Sequence, residues 1–238
     1  GHGHDAASFA FKAGDGLYGT FECRTVDQLI VFGTNGRVYS VPVAALPGAR
    51  GDGQPITTFI DLESGTQPAH YFAGPAQATL LLSGSGGYGF LATVEGLVSR
   101  NKGGKGFLSL SEGESVCAPS HVQGSSATGS VDKPELPVAT HVCCASVAGR
   151  ILTFEMGELK LMEKGGRGLM LIDLEAKDQL AGAAAYTRSV RITGVGRGGK
   201  EREEVLEIRS LNNAKASRAK KGKVADLGFK PNGVTRVA

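Results

Sequence analysis

Three short stretches of this 238-residue chain combine glycine with lysine and arginine. They are Lys102-Gly103-Gly104-Lys105-Gly106, Lys164-Gly165-Gly166-Arg167-Gly168 and Arg218-Ala219-Lys220-Lys221-Gly222-Lys223. A weaker fourth reads Ala49-Arg50-Gly51-Asp52-Gly53. The chemistry such boxes can do is anion binding. Glycine lets backbone N–H groups come close to a phosphate, and the flanking cations neutralise its charge. The side chains assigned to phosphate contact are Arg50, Arg100, Lys102, Lys105, Lys164, Arg167, Arg218, Lys220, Lys221 and Lys223. A solvated turn could have the same composition, so what positions the boxes decides the matter. Arg197-Gly198-Gly199-Lys200 lacks the G-x-x-x-x-G-K-[ST] pattern and a following apolar helix, and reads as a basic turn.

Other chemistry finds little support. Asp61 and Glu63 are paired carboxylates, but no Ser/His/Asp, Cys/His or zinc constellation has sensible spacing. Cys23, Cys117, Cys143 and Cys144 form no C-x-x-C pair and read as buried, reduced thiols; the adjacent pair, on a strand, would face opposite sides of its sheet. His2 and His4 supply too few ligands for a structural zinc site. The expectation is a non-catalytic domain with no metal and no cofactor of its own.

Charge is unevenly spread. Residues 1–159 carry 9 Lys and Arg against 14 Asp and Glu, a net of −5, while residues 160–238 carry 17 against 9, a net of +8. A basic half attracts a polyanion, and nucleic acid is the commonest in a soluble protein. No apolar run approaches the roughly 18 residues of a membrane span and no signal peptide opens the chain, so the reading is cytoplasmic, with no membrane partner. Aromatic residues are only 6%, which argues against stacking on single-stranded bases.

The elements that must carry the boxes follow from a repeat of about fifty residues. Leu29–Phe32, Leu80–Leu82 and Val142–Cys144 begin apolar strands that run to a turn at Gly36, Gly87 or Gly149, and a second strand returns. Asn35-Gly36 predicts a type I′ hairpin, with φ > 0 at both residues. The boxes follow, with Gly51, Gly104 and Gly166 in equivalent places, and a short strand comes after each at Ile56–Phe59, Phe107–Leu110 and Leu169–Ile172. Thirty-six glycines, about twice the average rate of roughly 7%, fit many short strands. Four strands per repeat, arranged radially, dispose of exposed sheet edges. The predicted fold is therefore all-β, a propeller-like disc with helix nearly absent. Residues 1–238 read as one domain, with a first-blade remnant at 1–16 and blades at 17–66, 67–116 and 138–180. Residues 117–137 read as a surface loop and 181–238 as a divergent last blade.

The repeat resembles the C-terminal β-pinwheel of the A subunits of bacterial type IIA topoisomerases. The residues that carry the resemblance include Gly36-Arg37-Val38-Tyr39 through Gly51-Asp52-Gly53, Ala6-Ala7-Ser8 through Asp15, and Gly87-Tyr88-Gly89-Phe90 through Lys102. They are most similar to the topoisomerase IV branch. The gyrase branch carries a strict Gln-Arg-Arg-Gly-Gly-Lys-Gly box, of which this chain has only Arg100-Asn101-Lys102-Gly103-Gly104-Lys105-Gly106, away from the first blade. The resemblance implies about five four-stranded blades, the first incomplete, that bind and bend double-stranded DNA with little sequence preference. It implies a role in steering which DNA topologies are relaxed and decatenated. The parent enzyme would use ATP and Mg, and the partners would be the rest of the topoisomerase IV A subunit, with the enzyme's B subunit, in a chromosome-associated heterotetramer. The cleavage tyrosine belongs to another domain of that family, so Tyr18, Tyr39, Tyr71, Tyr88 and Tyr186 are expected to be structural. A gyrase-type wrapping domain and a protein-interaction propeller are the alternatives.

Overall fold

The computed structural model describes residues 8–48, 51–124 and 136–238. These residues fold into four small antiparallel sheets set side by side in a propeller-like arrangement. The first contains β1 (Gln28–Gly33), β2 (Arg37–Pro42), β3 (Pro68–Gly74) and β6 (Lys105–Gly106), in the order β3-β1-β2-β6. The second contains β4 (Thr79–Ser83), β5 (Tyr88–Thr93), β7 (Ser120–Gln123) and β10 (Leu169–Met170), in the order β10-β5-β4-β7. The third, ordered β11-β8-β9-β14, uses β8 (His141–Ser146), β9 (Arg150–Glu155), β11 (Leu180–Tyr186) and β14 (Lys223–Val224). The fourth has three strands, β13-β12-β15, from β12 (Ser189–Val195), β13 (Glu201–Glu207) and β15 (Lys230–Arg236). Among the described residues there are two α-helical segments, α1 (Val94–Leu97) and α2 (Ile208–Asn213), each a single turn or little more.

Strand alternation explains the stacking. Successive side chains of one strand enter different cores, because a β-strand sends them to opposite faces. Leu80 and Leu82 pack between the first and second sheets with Phe32, Phe90 and Phe107, whereas Leu81 packs between the second and third with Leu152 and Phe154. Cys144 joins that second core, and Cys143 faces the third with Tyr186 and Ile192, as expected of adjacent strand residues. Each such fully buried Leu or Phe contributes about 1.5–3 kcal/mol of transfer free energy. The outer face of the first sheet is covered by Ile60, which packs with Val31, Tyr39 and Val41.

Several expectations need correction. Four sheets, rather than about five, are formed by the described residues, and residues 9–27 contain no strand. The sheets also cross the fifty-residue divisions: β1 and β2 lie within 17–66, but they pair with β3 and β6 from beyond it. The span 117–137 is not all surface loop, since β7 lies within it with Ser120 and Val122 buried; the serine hydroxyl accepts the Ala185 N–H at 2.9 Å. Ile56–Thr58 is a 3-10 turn instead of a strand.

The turn type differs from the expectation as well. Gly36 has φ 82° and its N–H donates to the Gly33 carbonyl at 3.1 Å, but Asn35 is not among the positive-φ residues. Gly87 (φ 89°) and Gly149 (φ 91°) close on Gly84 and Ser146 in the same way. This is a three-residue loop ending in a left-handed glycine, which needs only one residue at positive φ. Asn35 serves through its side chain, accepting the Arg37 N–H and donating to Glu63.

Candidate nucleic-acid interface

Three of the four boxes meet a hairpin that lies a full repeat or more earlier in the chain. β6 pairs with β2, β10 with β5 and β14 with β9, so the box strand forms the free edge of the preceding sheet. The hairpin glycine holds it there: the carbonyls of Gly36, Gly87 and Gly149 accept from the N–H groups of Leu108, Leu171 and Ala225 at 2.9, 2.7 and 2.9 Å. In this register Gly104, Gly168 and Gly222 are equivalent. A Cβ on them would lie 2.3, 2.2 and 2.6 Å from the carbonyl oxygens of Val38, Gly89 and Ile151. The sequence alignment of Gly104 with Gly166 is therefore two residues out. Gly166 instead gives its N–H to the carbonyl of Phe107, directly after the neighbouring box, at 2.8 Å.

Eight of the ten predicted cations fall into two sets. Three turn inward. Lys105 donates to the carbonyls of Gly96 and Val98 at 2.6 and 3.0 Å, tying down the end of α1. Arg167 grips Glu114 through two nitrogens and donates to Ser111, with its guanidinium 4.1 Å from the Tyr88 ring centre. Arg218 donates to the carbonyls of Glu158 and Met170 at 3.2 and 2.7 Å. Burial acts to raise the Glu114 pKa, but the hydrogen bonds from Arg167 and Ser111 outweigh it and hold the carboxyl below its ordinary value. The Glu114 hydrogen bond raises the Arg167 pKa in turn.

The outward set is Arg100, Lys102, Lys164, Lys220 and Lys223, all exposed and without an ion-pair partner among the described residues. Lys221 is exposed but pairs with Glu175 at 3.1 Å, and Arg50 lies outside the described residues. Four of the five outward cations recur at equivalent places; the fifth, Lys223, has the inward-turned Lys105 as its counterpart. Arg100 and Lys164 stand four residues before their box glycine, Lys102 and Lys220 two before, and Lys223 one after.

Sequence reasoning missed the residues that fasten the boxes. Arg37 donates to the carbonyls of Gly103 and Gly104, Arg150 donates to that of Gly222, and Tyr88 stacks beneath Arg167. All three directly follow a hairpin glycine, and that shared position was the available signal. Tyr39 and Tyr186 are buried in the cores, and Tyr18 hydrogen-bonds His70 and the Tyr71 N–H, so these tyrosines have packing roles. Burial pushes the thiols of Cys117 and Cys143 up to about 11 and 12. Among the described residues no three His, Cys, Asp or Glu side chains gather as metal ligands, and no helix is long and apolar enough to cross a membrane.

The sequence and the overall fold have counterparts in known proteins. The family described as DNA gyrase C-terminal domain, beta-propeller, matches residues 27–64 and 140–186, the segments around the first and third hairpins. The A subunit of DNA topoisomerase 4 from Neisseria gonorrhoeae is 35% identical over 233 residues, which is 95% of this chain and 28% of that protein. Its Haemophilus influenzae counterpart is 30% identical over 237 residues, 98% of this chain and 30% of that protein. The structure of the E. coli ParC C-terminal domain superposes with a TM-score of 0.78 at 25% identity, covering 98% of this chain and 91% of that one. The chain belongs to the family of C-terminal domains of topoisomerase A subunits. The structure of the DNA gyrase A C-terminal domain shares the fold, with a TM-score of 0.64 at 16% identity over 87% of this chain and 64% of that one. The chain spans under a third of the length of the curated topoisomerase IV relatives.

Proposed function

We propose that this domain binds the backbone of double-stranded DNA with little sequence preference, bends it, and so biases the substrates of a type II topoisomerase. The observation that carries the reading is the recurrence of unpaired, exposed cations at equivalent places on successive box turns. Arg100 and Lys102 stand on one, Lys164 on the next, and Lys220 and Lys223 on the third. Cations spaced along successive sheet edges suit a polyanion that passes from edge to edge. The helical segments, of four and six residues, are too short to read a major groove as a recognition helix does. Contacts to phosphate position a duplex without reading its bases.

Bending a 20–30 bp site by 40–90° costs of order 1–6 kcal/mol, and several charge-neutralising contacts offset it. The chemistry of strand cleavage lies elsewhere in the parent enzyme, which would draw on ATP and Mg and on its B subunit. This domain acts on the choice of DNA in the cytoplasm, at the chromosome. A binding assay on random-sequence duplexes at 50 and 200 mM salt tests the reading. Affinity falls steeply with salt, and the chain with Mg leaves the strands uncut. Salt-independent binding or strand scission would overturn it.

A further inference from the structure

The fourth sheet repeats the hairpin that receives a box strand in the other three, yet among the described residues no strand lies on it. Gly199 donates its N–H to the Gly196 carbonyl at 3.2 Å, and Gly196 donates to Lys200 at 2.8 Å. The second sheet has the same pair of bonds at Gly87–Gly84 and Gly84–Tyr88, both 3.0 Å. Gly199 is therefore the counterpart of Gly36, Gly87 and Gly149, and Lys200 that of Arg37, Tyr88 and Arg150. In the first three sheets the hairpin glycine carbonyl receives a box N–H, and the next side chain engages the box. Among the described residues nothing donates to the Gly199 carbonyl, Lys200 is exposed without an acceptor, and β13 is an edge strand paired only with β12.

We propose that the outer edge of β13 receives an extended, basic segment of a partner polypeptide, which adds to the fourth sheet as its missing strand. Charge complementarity selects the occupant. β13 reads Glu-Arg-Glu-Glu-Val-Leu-Glu, and Glu201, Glu204 and Glu207 are exposed without an ion pair among the described residues, while Glu203 faces Arg191 at 3.5 Å. The strands that fill the equivalent edges of the first and third sheets carry Lys105 and Lys223. Pairing of β13 with its own copy would set Glu201 against Glu207 and Glu204 against Glu204, which like charge disfavours. Backbone hydrogen bonds to an open edge supply affinity in strand addition, and side chains supply selectivity. Geometry adds one demand: the residue facing the Glu201 carbonyl must be glycine, as Gly104, Gly168 and Gly222 are against Val38, Gly89 and Ile151.

The test uses a labelled peptide of residues 218–227, the box that fills the third sheet, added to the full 238-residue chain. Binding is followed by anisotropy and by amide hydrogen exchange. Exchange over residues 200–206 slows on addition of the peptide, and the Gly222→Val peptide binds at least tenfold more weakly. The protein variant E201Q/E204Q, checked for fold by circular dichroism, weakens binding several-fold at low salt. Three results would overturn the proposal. One is no slowing at residues 200–206 under millimolar peptide. Another is protection there already in the dilute free chain, which would mean that its own segment covers the edge. The third is protection that tracks a concentration-dependent dimer, which would give the edge to a second copy.

Discussion

Arg167 and Glu114 are joined by two hydrogen bonds, of 2.8 and 3.2 Å, that link the second box to the loop following the first. A cation that the sequence marks for phosphate is thereby committed to the protein's own carboxylate. The stacking on Tyr88 makes the site a fastener between neighbouring units.

Arg167→Ala should therefore lower stability while leaving the salt slope of DNA binding nearly unchanged. Arg167 is partly open to solvent, so the cost is about 1 kcal/mol, from the lost ring contact and the weakened pair. Urea unfolding and DNA titrations on the same variant check both halves. Lys105→Met should behave alike, since its ammonium satisfies the carbonyls of Gly96 and Val98.

Valine substitutions at the hairpin glycines should rank Gly36, then Gly87, then Gly149 in loss of stability. All three need positive φ, which a β-branched residue avoids. They differ in the space available for a side chain. A Cβ would meet the Leu108 carbonyl oxygen at 2.1 Å, that of Ile172 at 3.0 Å and that of Ala225 at 3.3 Å. Thermal melts of the three variants give the order.

Acid should loosen the contact between the chain before the first sheet and β3. Tyr18 accepts the Tyr71 N–H and donates to His70 Nδ1, while His70 Nε2 donates to the Val116 carbonyl. That chain of bonds requires a neutral ring, and burial lowers the His70 pKa. The unfolded histidine takes up its proton first, near a pKa of about 6.5. The stability from the neutral ring is thus complete above that pH and is lost as pH falls toward the lower folded value. His70→Asn should flatten the change in melting temperature between pH 7 and 5.5; an unaltered pH profile would contradict the assignment.

The repeat and the all-β architecture could be read from Gly36, Gly87 and Gly149 and the apolar runs before them, because turn chemistry and alternation are local. Which hairpin a box joins could not. β6 and β2 are more than sixty residues apart, and a two-residue edge strand has too short a pattern to announce its partner. The same distance hid the division of the cations. Lys102 and Lys105 look interchangeable in sequence, but β6 sends Lys105 back onto the carbonyls of Gly96 and Val98 while Lys102 stays in solvent. The different tip at Asn35 has another cause: Asn-Gly suits more than one tight turn, and the loop length chose among them.

The most direct test of the account is the salt dependence of duplex binding by a variant lacking the outward set: Arg100, Lys102, Lys164, Lys220 and Lys223, all replaced by Ala. These side chains are exposed and make no internal ion pair among the described residues, so each change should alter stability by no more than about 0.5 kcal/mol. Each lost phosphate contact makes the slope of log Kobs against log salt shallower by about 0.9, so the five together flatten it by about 4.5. A folded variant with weak, nearly salt-independent binding is the predicted result. A folded variant that keeps the affinity and slope of the unmodified chain would contradict the account and move the DNA contacts off the box turns.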